Sequence, residues 1–302
     1  MNTIIPTTEL VINWHITEAC NYSCQYCYAH WCKSRQKELI HNKQQTKQLL
    51  KELYDSLKPE SSNILTPYMR WSSIRLNIAG GEPLLYPNQV LFIAESALEL
   101  GMSVSLISNG SLLSNELMDK IASKLVLLGL SCDSDNTDNN RIIGRSDHKG
   151  QQLIVDDLHR IINSGRKINP KMRLKLNTVV NSVNYLDDMS GIVKLLNPDR
   201  WKVLKMLPVI NSDLAISDRQ FNEFINKHSS LKEIMRAEDN DEMSESYIMI
   251  DPLGRFFQNS PDSSGKGYIY SSSIIDTGAI SALKEINFSP EKFLSRYKEV
   301  IA

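Results

Sequence analysis

"EACNYSCQYCYAHW", residues 18–31, places Cys20, Cys24 and Cys27 within eight positions, spaced C-x3-C-x2-C, out of five cysteines in the chain. It directly follows "ELVINWHIT" (9–17), whose alternation of apolar and polar residues is that of a strand. A structural zinc site needs four closed ligands, so His30 or Cys32 would have to complete the set. The spacing is not the paired C-x2-C of such sites, and no second cysteine pair follows. The other reading is a [4Fe-4S] cluster held by three thiolates, which leaves one iron open to a small molecule.

Outward from this stretch, short apolar runs alternate with amphipathic ones. Further strands are predicted at "IRLNIAGG" (74–81), "SVSLISNG" (103–110), "LVLLGLSCD" (125–133), "MRLKLNTVV" (172–180) and "RWKVLKML" (200–207). Helices are predicted at "NKQQTKQLLKELYDSL", "NQVLFIAESALEL", "SNELMDKIASK", "QQLIVDDLHRIINSG" and "NYLDDMSGIVKLL". Strand alternating with helix means right-handed βαβ units and a parallel sheet. Six units are too few for a closed eight-fold barrel, so the fold class is α/β with an open, partial (βα)6 barrel. The cysteines then lie at the carboxyl ends of the strands, where such barrels do their chemistry. Residues 1–208 are expected to form this core. Residues 209–302 are expected to form an extension over the barrel mouth within a single compact unit. In it a helix at "SDRQFNEFINKH", a strand at "SYIMID", a Gly/Ser-rich lid loop "NSPDSSGKGYIYSSS" and a final helix "SPEKFLSRYKEV" follow one another.

Composition excludes several classes. The 302 residues are 41% hydrophobic and 23% charged, enough apolar material for a sizeable core. A formal net charge of −1 argues against a protein that coats DNA or RNA. The amino terminus has no basic n-region, and no stretch approaches the roughly 20 apolar residues of a bilayer span. A cytoplasmic protein with reduced thiols and no membrane partner is expected, acting as a monomer.

Strand periodicity speaks to the substrate, because alternate residues face opposite sides. Ile74, Leu76 and Ile78 oppose Arg75 and Asn77. Met172, Leu174 and Leu176 oppose Arg173, Lys175 and Asn177, and Trp201 and Val203 oppose Arg200 and Lys202. The apolar faces must meet helices, so the cationic faces look into the barrel. Unpaired buried charge costs several kcal/mol per ion, so these cations imply a polyanion such as a nucleoside triphosphate, unless internal carboxylates pair with them. No G-x4-G-K-[ST] loop is present. Cys132 reads as a small buried hydrophobe, His15 as a core histidine, and "EDNDE" (238–242) as a solvated loop.

The cysteine motif with Tyr26 before its last cysteine, "AGGEP" (79–83) after the second strand, "SNGS" (108–111) after the third and "SCDS" (131–134) after the fourth together resemble the radical S-adenosylmethionine (AdoMet) superfamily. "SCDSDNTDNNRIIGR" (131–145), "LKLNTVVNSVN" (174–184), "RWKV" (200–203), "SYIMIDPLGRF" (246–256) and "SIIDTGAISAL" (273–283) narrow the resemblance to the viperins, of the prokaryotic kind, over nearly the whole chain from Trp14. The resemblance implies a radical AdoMet enzyme with a partial (βα)6 barrel. Such enzymes dehydrate CTP, in some members UTP or GTP, to a 3′-deoxy-3′,4′-didehydro nucleotide that terminates RNA chains, as antiviral, anti-phage defence. It implies Cys20, Cys24 and Cys27 as cluster ligands. It implies Gly80, Gly81 and Glu82 at the AdoMet amino group, with Ser108, Asn109, Ser131 and Arg145 around its ribose and carboxylate. Arg75, Asn77, Lys175, Arg200 and Lys202 would receive the triphosphate, with Arg75 in place of an expected lysine, and Lys266 would fold over it from the loop. Tyr247 would stand near the sugar as a proton or hydrogen donor. The implied course is hydrogen abstraction at ribose C4′ by a 5′-deoxyadenosyl radical and loss of the C3′ hydroxyl as water. An external electron from flavodoxin or ferredoxin then completes it. Two other readings stay open: a peptide-modifying radical AdoMet enzyme, weakened because no cysteine follows Cys132, and a non-catalytic zinc-stabilised module.

Overall fold

The apolar runs become parallel strands in the computed structural model, which describes residues 5–29, 37–210, 212–259 and 267–297. The first units run β1 (Ile5–His15), α1 (Lys43–Leu57), β2 (Met69–Ala79), α2 (Pro87–Glu99) and β3 (Ser103–Ser108). They continue through α3 (Asn115–Ile121), β4 (Leu127–Ser131), α4 (Thr137–Ile143) and α5 (Val155–Ile168). The last are β5 (Arg173–Val180), α6 (Ser190–Leu196) and β6 (Arg200–Lys205). Each of the six strands pairs in parallel with the next, giving the expected partial barrel.

Local chemistry sets these elements. In α1, Thr46, Leu49, Leu50, Leu53 and Leu57 recur at helical spacing and are buried, while the Asn42 side chain caps the first turn by accepting from the amides of Gln44 and Gln45. Leu10, Ile12 and Trp14 of β1, Leu76 and Ile78 of β2, and Trp201 and Val203 of β6 are all fully buried in the main core. The predicted division of faces therefore holds for β2 and β6. On β5 it holds from Leu174 onward, but Arg173 opens the strand and is exposed, so it does not line the interior.

The remaining chain adds strands at both sheet edges. Helix α7 (Asp218–Lys227) leads to β7 (Met235–Glu238), which pairs in parallel outside β6. After α8 (Asn240–Met243), the strand β8 (Ile248–Ile250) crosses to the opposite edge and pairs in parallel with β1. Strands β9 (Arg255–Asn259) and β10 (Tyr268–Ser273) extend that edge as an antiparallel pair, followed by α9 (Ile274–Thr277), α10 (Ala279–Leu283) and α11 (Pro290–Tyr297). The order is β10-β9-β8-β1-β2-β3-β4-β5-β6-β7.

Two expectations need correcting. The Gly/Ser-rich stretch is not all loop, because "YIYSSS" forms β10, with Tyr270 opposite Phe257. Tyrosines favour the pleated, half-buried surface that this edge offers. Lys266 lies outside the described residues. "EDNDE" is not simply solvated: Glu238 ends β7 partly buried, and Asp239 with Glu242 forms the capping box of α8. Cys132 is buried, as expected, and His15 is a buried ring edge-on to Tyr28 and Phe257. Burial holds the His15 imidazolium down to about 3, so it is neutral. Among the described residues no helix is long and apolar enough to cross a membrane.

Trp201 joins β6 to β5 through its indole N–H, which donates to Thr178 Oγ1 at 3.0 Å, and Thr178 in turn donates to the Cys132 carbonyl at 2.7 Å. Trp201→Phe removes that bond and leaves a void, so chemical denaturation should register a loss of about 1–3 kcal/mol.

Candidate active site

The loop bearing the cysteines is fastened on two sides. On one, its backbone runs against the turn after α4: Ser23 N donates to Gly144 O at 3.1 Å and Gln25 N to Ile143 O at 2.9 Å. Gly144 has φ +88°, and a Cβ there would fall 2.3 Å from the Ser23 carbonyl oxygen, so only glycine permits this approach. On the other, Gly81 N donates to Thr17 O at 2.7 Å and Glu82 N to Ala19 O at 2.8 Å. A Cβ on Gly81 would lie 2.3 Å from the Ala19 carbonyl oxygen.

Glu82 is fully buried, and its carboxylate ties strand ends together. It accepts from Leu84 N at 2.9 Å, from Ser108 Oγ at 2.8 Å and from Asn109 N at 2.7 Å. Burial raises its pKa despite those bonds. Asn109 extends the tie to the cysteine loop, donating to Asn21 Oδ1 at 2.9 Å, and Asn21 donates to Ser111 Oγ at 2.9 Å. The expected AdoMet residues Gly80, Gly81, Glu82, Ser108 and Asn109 thus meet beside Cys20.

Ser131 and Arg145 close the same region from β4 and the turn after α4. The Arg145 guanidinium is 6% exposed, donates to the Ser131 carbonyl, and lies 3.3 Å from Asp133 Oδ2. Tyr26, inside the cysteine motif, donates to the same Asp133 carboxylate and accepts from Arg145 at 3.2 Å. The sequence showed Tyr26 only as an aromatic spacer. Its hydroxyl is a third anchor of the loop.

Burial pushes the Cys24 thiol up to about 12 and Cys27 up to about 11, with neighbouring sulfurs adding to the rise, and raises Cys20, with Glu82 adding; Arg145 opposes all three. Three thiols that disfavour one another's ionisation suit a cationic centre, which coordinates thiolates and offsets their charge. Among the described residues no group of three or more His, Cys, Asp or Glu side chains is already arranged as a metal-holding set. The fit to an iron–sulfur cluster therefore rests on the donor set and on the anchoring of its loop.

Below this loop, polar side chains fill the inner faces of the strands. Arg75 on β2 meets Glu9 on β1 at 2.8 Å and donates to Ser105 Oγ on β3 at 3.0 Å. Ser105 donates to Asn77 Oδ1 at 2.7 Å, and Asn77 donates to Asn13 Oδ1 at 2.8 Å. Lys202 on β6 meets Glu238 on β7 at 2.8 Å and also donates to the Tyr247 hydroxyl. Internal carboxylates therefore do pair with Arg75 and Lys202, contrary to the expectation that these cations lack counter-ions. Lys175 on β5 differs. Its side chain makes no hydrogen bond or ion pair among the described residues, and its amine is held well below its usual pKa, first by burial and then by Lys202 and Arg75, with Glu238 opposing the shift and Arg200 adding to it.

Glu9, Asn13, Ser105, Glu238 and Arg296 were not foreseen as members of this chamber. Glu9 and Asn13 carried a signal, since they share the face of β1 opposite Leu10, Ile12 and Trp14. Arg296 carried none, because it reaches the chamber from α11 at the far end of the chain.

Comparison with known proteins agrees with this geometry. A model of the radical SAM superfamily matches residues 14–176. An S-adenosylmethionine-dependent nucleotide dehydratase of Psychrobacter lutiphocae is 41% identical, covering 97% of this chain and 96% of the relative. The corresponding protein of Pseudoalteromonas ulvae is 39% identical over 97% and 94%. The dehydratase RSAD2 of Danio rerio is 30% identical over 96% and 77%. Among solved structures, anSMEcpe with bound AdoMet superposes with a TM-score of 0.64 at 15% identity, covering 97% of this chain and 84% of that one. Streptococcus suis SuiB with its precursor peptide SuiA gives 0.63 at 13%, covering 97% and 67%. At such identities the structural likeness establishes the fold alone.

Two substitutions test the site. Gly81→Ala drives a methyl into the Ala19 carbonyl and should cost about 2–4 kcal/mol in unfolding experiments, with iron uptake by the chain falling in parallel. Lys175→Met should leave Tm unchanged or raise it, because it replaces a partly buried amine that makes no ion pair among the described residues by an apolar chain of similar reach.

Proposed function

The chain belongs to the radical SAM superfamily and, within it, to the S-adenosylmethionine-dependent nucleotide dehydratases, the viperin-like enzymes, and from that premise we propose that it dehydrates a nucleoside triphosphate. The preferred substrate is CTP, with UTP or GTP as further substrates, and the product is the 3′-deoxy-3′,4′-didehydro nucleotide. The observation that carries this is Lys175: an amine that makes no ion pair among the described residues, beside Arg75, Arg200 and Lys202 and with Glu238 as the carboxylate acting on it, is chemistry that suits a polyanion.

Cys20, Cys24 and Cys27 would hold a [4Fe-4S] cluster with one open iron. When bound, the cluster and AdoMet supply the radical chemistry that removes the ribose C4′ hydrogen. The chain's own contribution is placement. Gly80 and Gly81 bring backbone close to the cofactor at the cysteine loop, Glu82 sets that turn through Ser108 and Asn109, and Arg145 with Ser131 flanks it. Arg75, Asn77, Lys175, Arg200 and Lys202 bind the phosphates at depth, with Lys266 as a further contact from its loop. This leaves the ribose between the phosphate site and the thiol loop. Tyr247 stands at the sugar as the proton or hydrogen donor. Loss of the C3′ hydroxyl as water leaves a nucleotide that no polymerase can extend, which fits a role in defence against phage. The enzyme would act in the cytoplasm as a monomer, with an electron from flavodoxin or ferredoxin.

Anaerobic incubation of the reconstituted enzyme with AdoMet, dithionite and each of CTP, UTP, GTP and ATP tests the reading. 5′-Deoxyadenosine should form in excess only with a nucleotide substrate, and equal formation without one would refute it. Lys175→Met should weaken triphosphate binding at least about tenfold. Burial brings the Lys202 ammonium down to about 8, opposed by Glu238, so its charge is present at pH 7 and lost above that value. Triphosphate affinity should accordingly fall about tenfold between pH 7 and 9, with proton uptake on binding in calorimetry.

A further inference from the structure

One cluster in the chamber does more than line it. Glu238 is a carboxylate with 12% of its side chain exposed, and it engages three groups from three separate segments. Its Oε1 is 2.8 Å from Lys202 Nζ on β6. Its Oε2 accepts from the Tyr247 hydroxyl at 2.9 Å and pairs with the Arg296 guanidinium of α11. The Tyr247 hydroxyl also accepts from Lys202, so the phenol is caught between ammonium and carboxylate. Arg296 stacks on the Tyr247 ring at 3.6 Å and donates to Ser246 Oγ at 2.8 Å. Lys202 and Arg296 hold Glu238 ionised against the cost of its burial.

We propose that Glu238 is a positioning residue: a built-in counter-anion for Lys202 that substrate phosphate displaces, and the group that aims the Tyr247 hydroxyl. This inference rests on the nucleoside triphosphate reading above. Of the three N–H donors of Lys202, Glu238 and Tyr247 engage two, and the Glu238 carboxylate offsets the charge that would attract phosphate, so full engagement of phosphate exchanges one anion for another. Exchange frees Glu238 from Lys202 but not from Arg296 or Tyr247. The carboxylate therefore stays in place, and the Tyr247 hydroxyl keeps one fixed acceptor. Glu238 weakens substrate binding and, in return, fixes the donor. The two consequences have opposite signs, and a purely structural role would not produce both.

Glu238→Gln retains shape and removes the charge. Calorimetry on the cluster-free chain, with CTP and with inorganic tripolyphosphate as probes, should find affinity raised several-fold, on the order of fivefold. In the reconstituted enzyme KM for CTP should fall and kcat should fall about tenfold. In a Lys202→Met background the same Glu238 substitution should leave affinity nearly unchanged. Affinity for E238Q equal to or below wild type overturns the proposal, as does a gain that persists undiminished without Lys202. A wild-type chain that binds neither probe overturns the triphosphate reading itself, and this inference falls with it. If E238Q does not fold, K202M/E238M, in which both charges are gone, is compared with K202M: equal affinity supports the proposal and a gain overturns it.

Discussion

Two backbone bonds, Gly81 N to Thr17 O and Glu82 N to Ala19 O, dock the turn after β2 against the chain that leads into the cysteines. Both need an approach that leaves no room for a Cβ at Gly81. Everything at the barrel mouth is registered from this contact. Glu82, fixed by it, fixes Ser108 and Asn109, and Asn109 returns to Asn21 in the cysteine loop. The loop after α4 completes the frame from the far side through Ser23 and Gln25. A segment with little regular structure is thereby held by backbone and buried polar groups in addition to the packing of Cys27 and Ala29 near Met249 and Phe257.

The chamber beneath solves a different electrostatic problem. Five cations (Arg75, Lys175, Arg200, Lys202 and Arg296) share it with Glu9 and Glu238. Two carboxylates make the assembly foldable, because a fully uncompensated cationic interior would be prohibitive. They also leave the basic groups in excess, and that excess is what depresses the Lys175 pKa. Affinity for a polyanion and stability of the ligand-free chain therefore pull against each other, and the carboxylates set the compromise. Bringing a C-terminal residue, Arg296, into this network ties the last helix to the same balance.

Much of this was legible from residues alone. The cysteine spacing, the glycines of "AGGEP" and strict alternation in "IRLNI" and "RWKVL" each act through local geometry, and each has a period or a spacing that one sequence displays. Pairing across strands has no such mark. Glu9 and Arg75 are 66 positions apart, and Glu238 sits in an acidic run whose usual meaning is a solvated surface. The Gly/Ser-rich stretch misled for a related reason: β10 exists because β9 offers it an edge, which is a tertiary circumstance.

By itself, then, the sequence determined the strand-and-helix alternation, the three-thiol motif at the first strand's end, and the side of each barrel strand that carries charge. These follow from covalent spacing and from the two-residue repeat of a strand. Only the tertiary structure decided that Arg75 and Lys202 meet carboxylates while Lys175 makes no ion pair among the described residues. It also decided that strands from the last third of the chain flank both ends of the sheet, and that Tyr247 lies between Lys202 and Glu238. Those outcomes depend on distances between segments remote along the chain, and charge interactions are governed by such distances and by burial, neither of which is written in the order of residues.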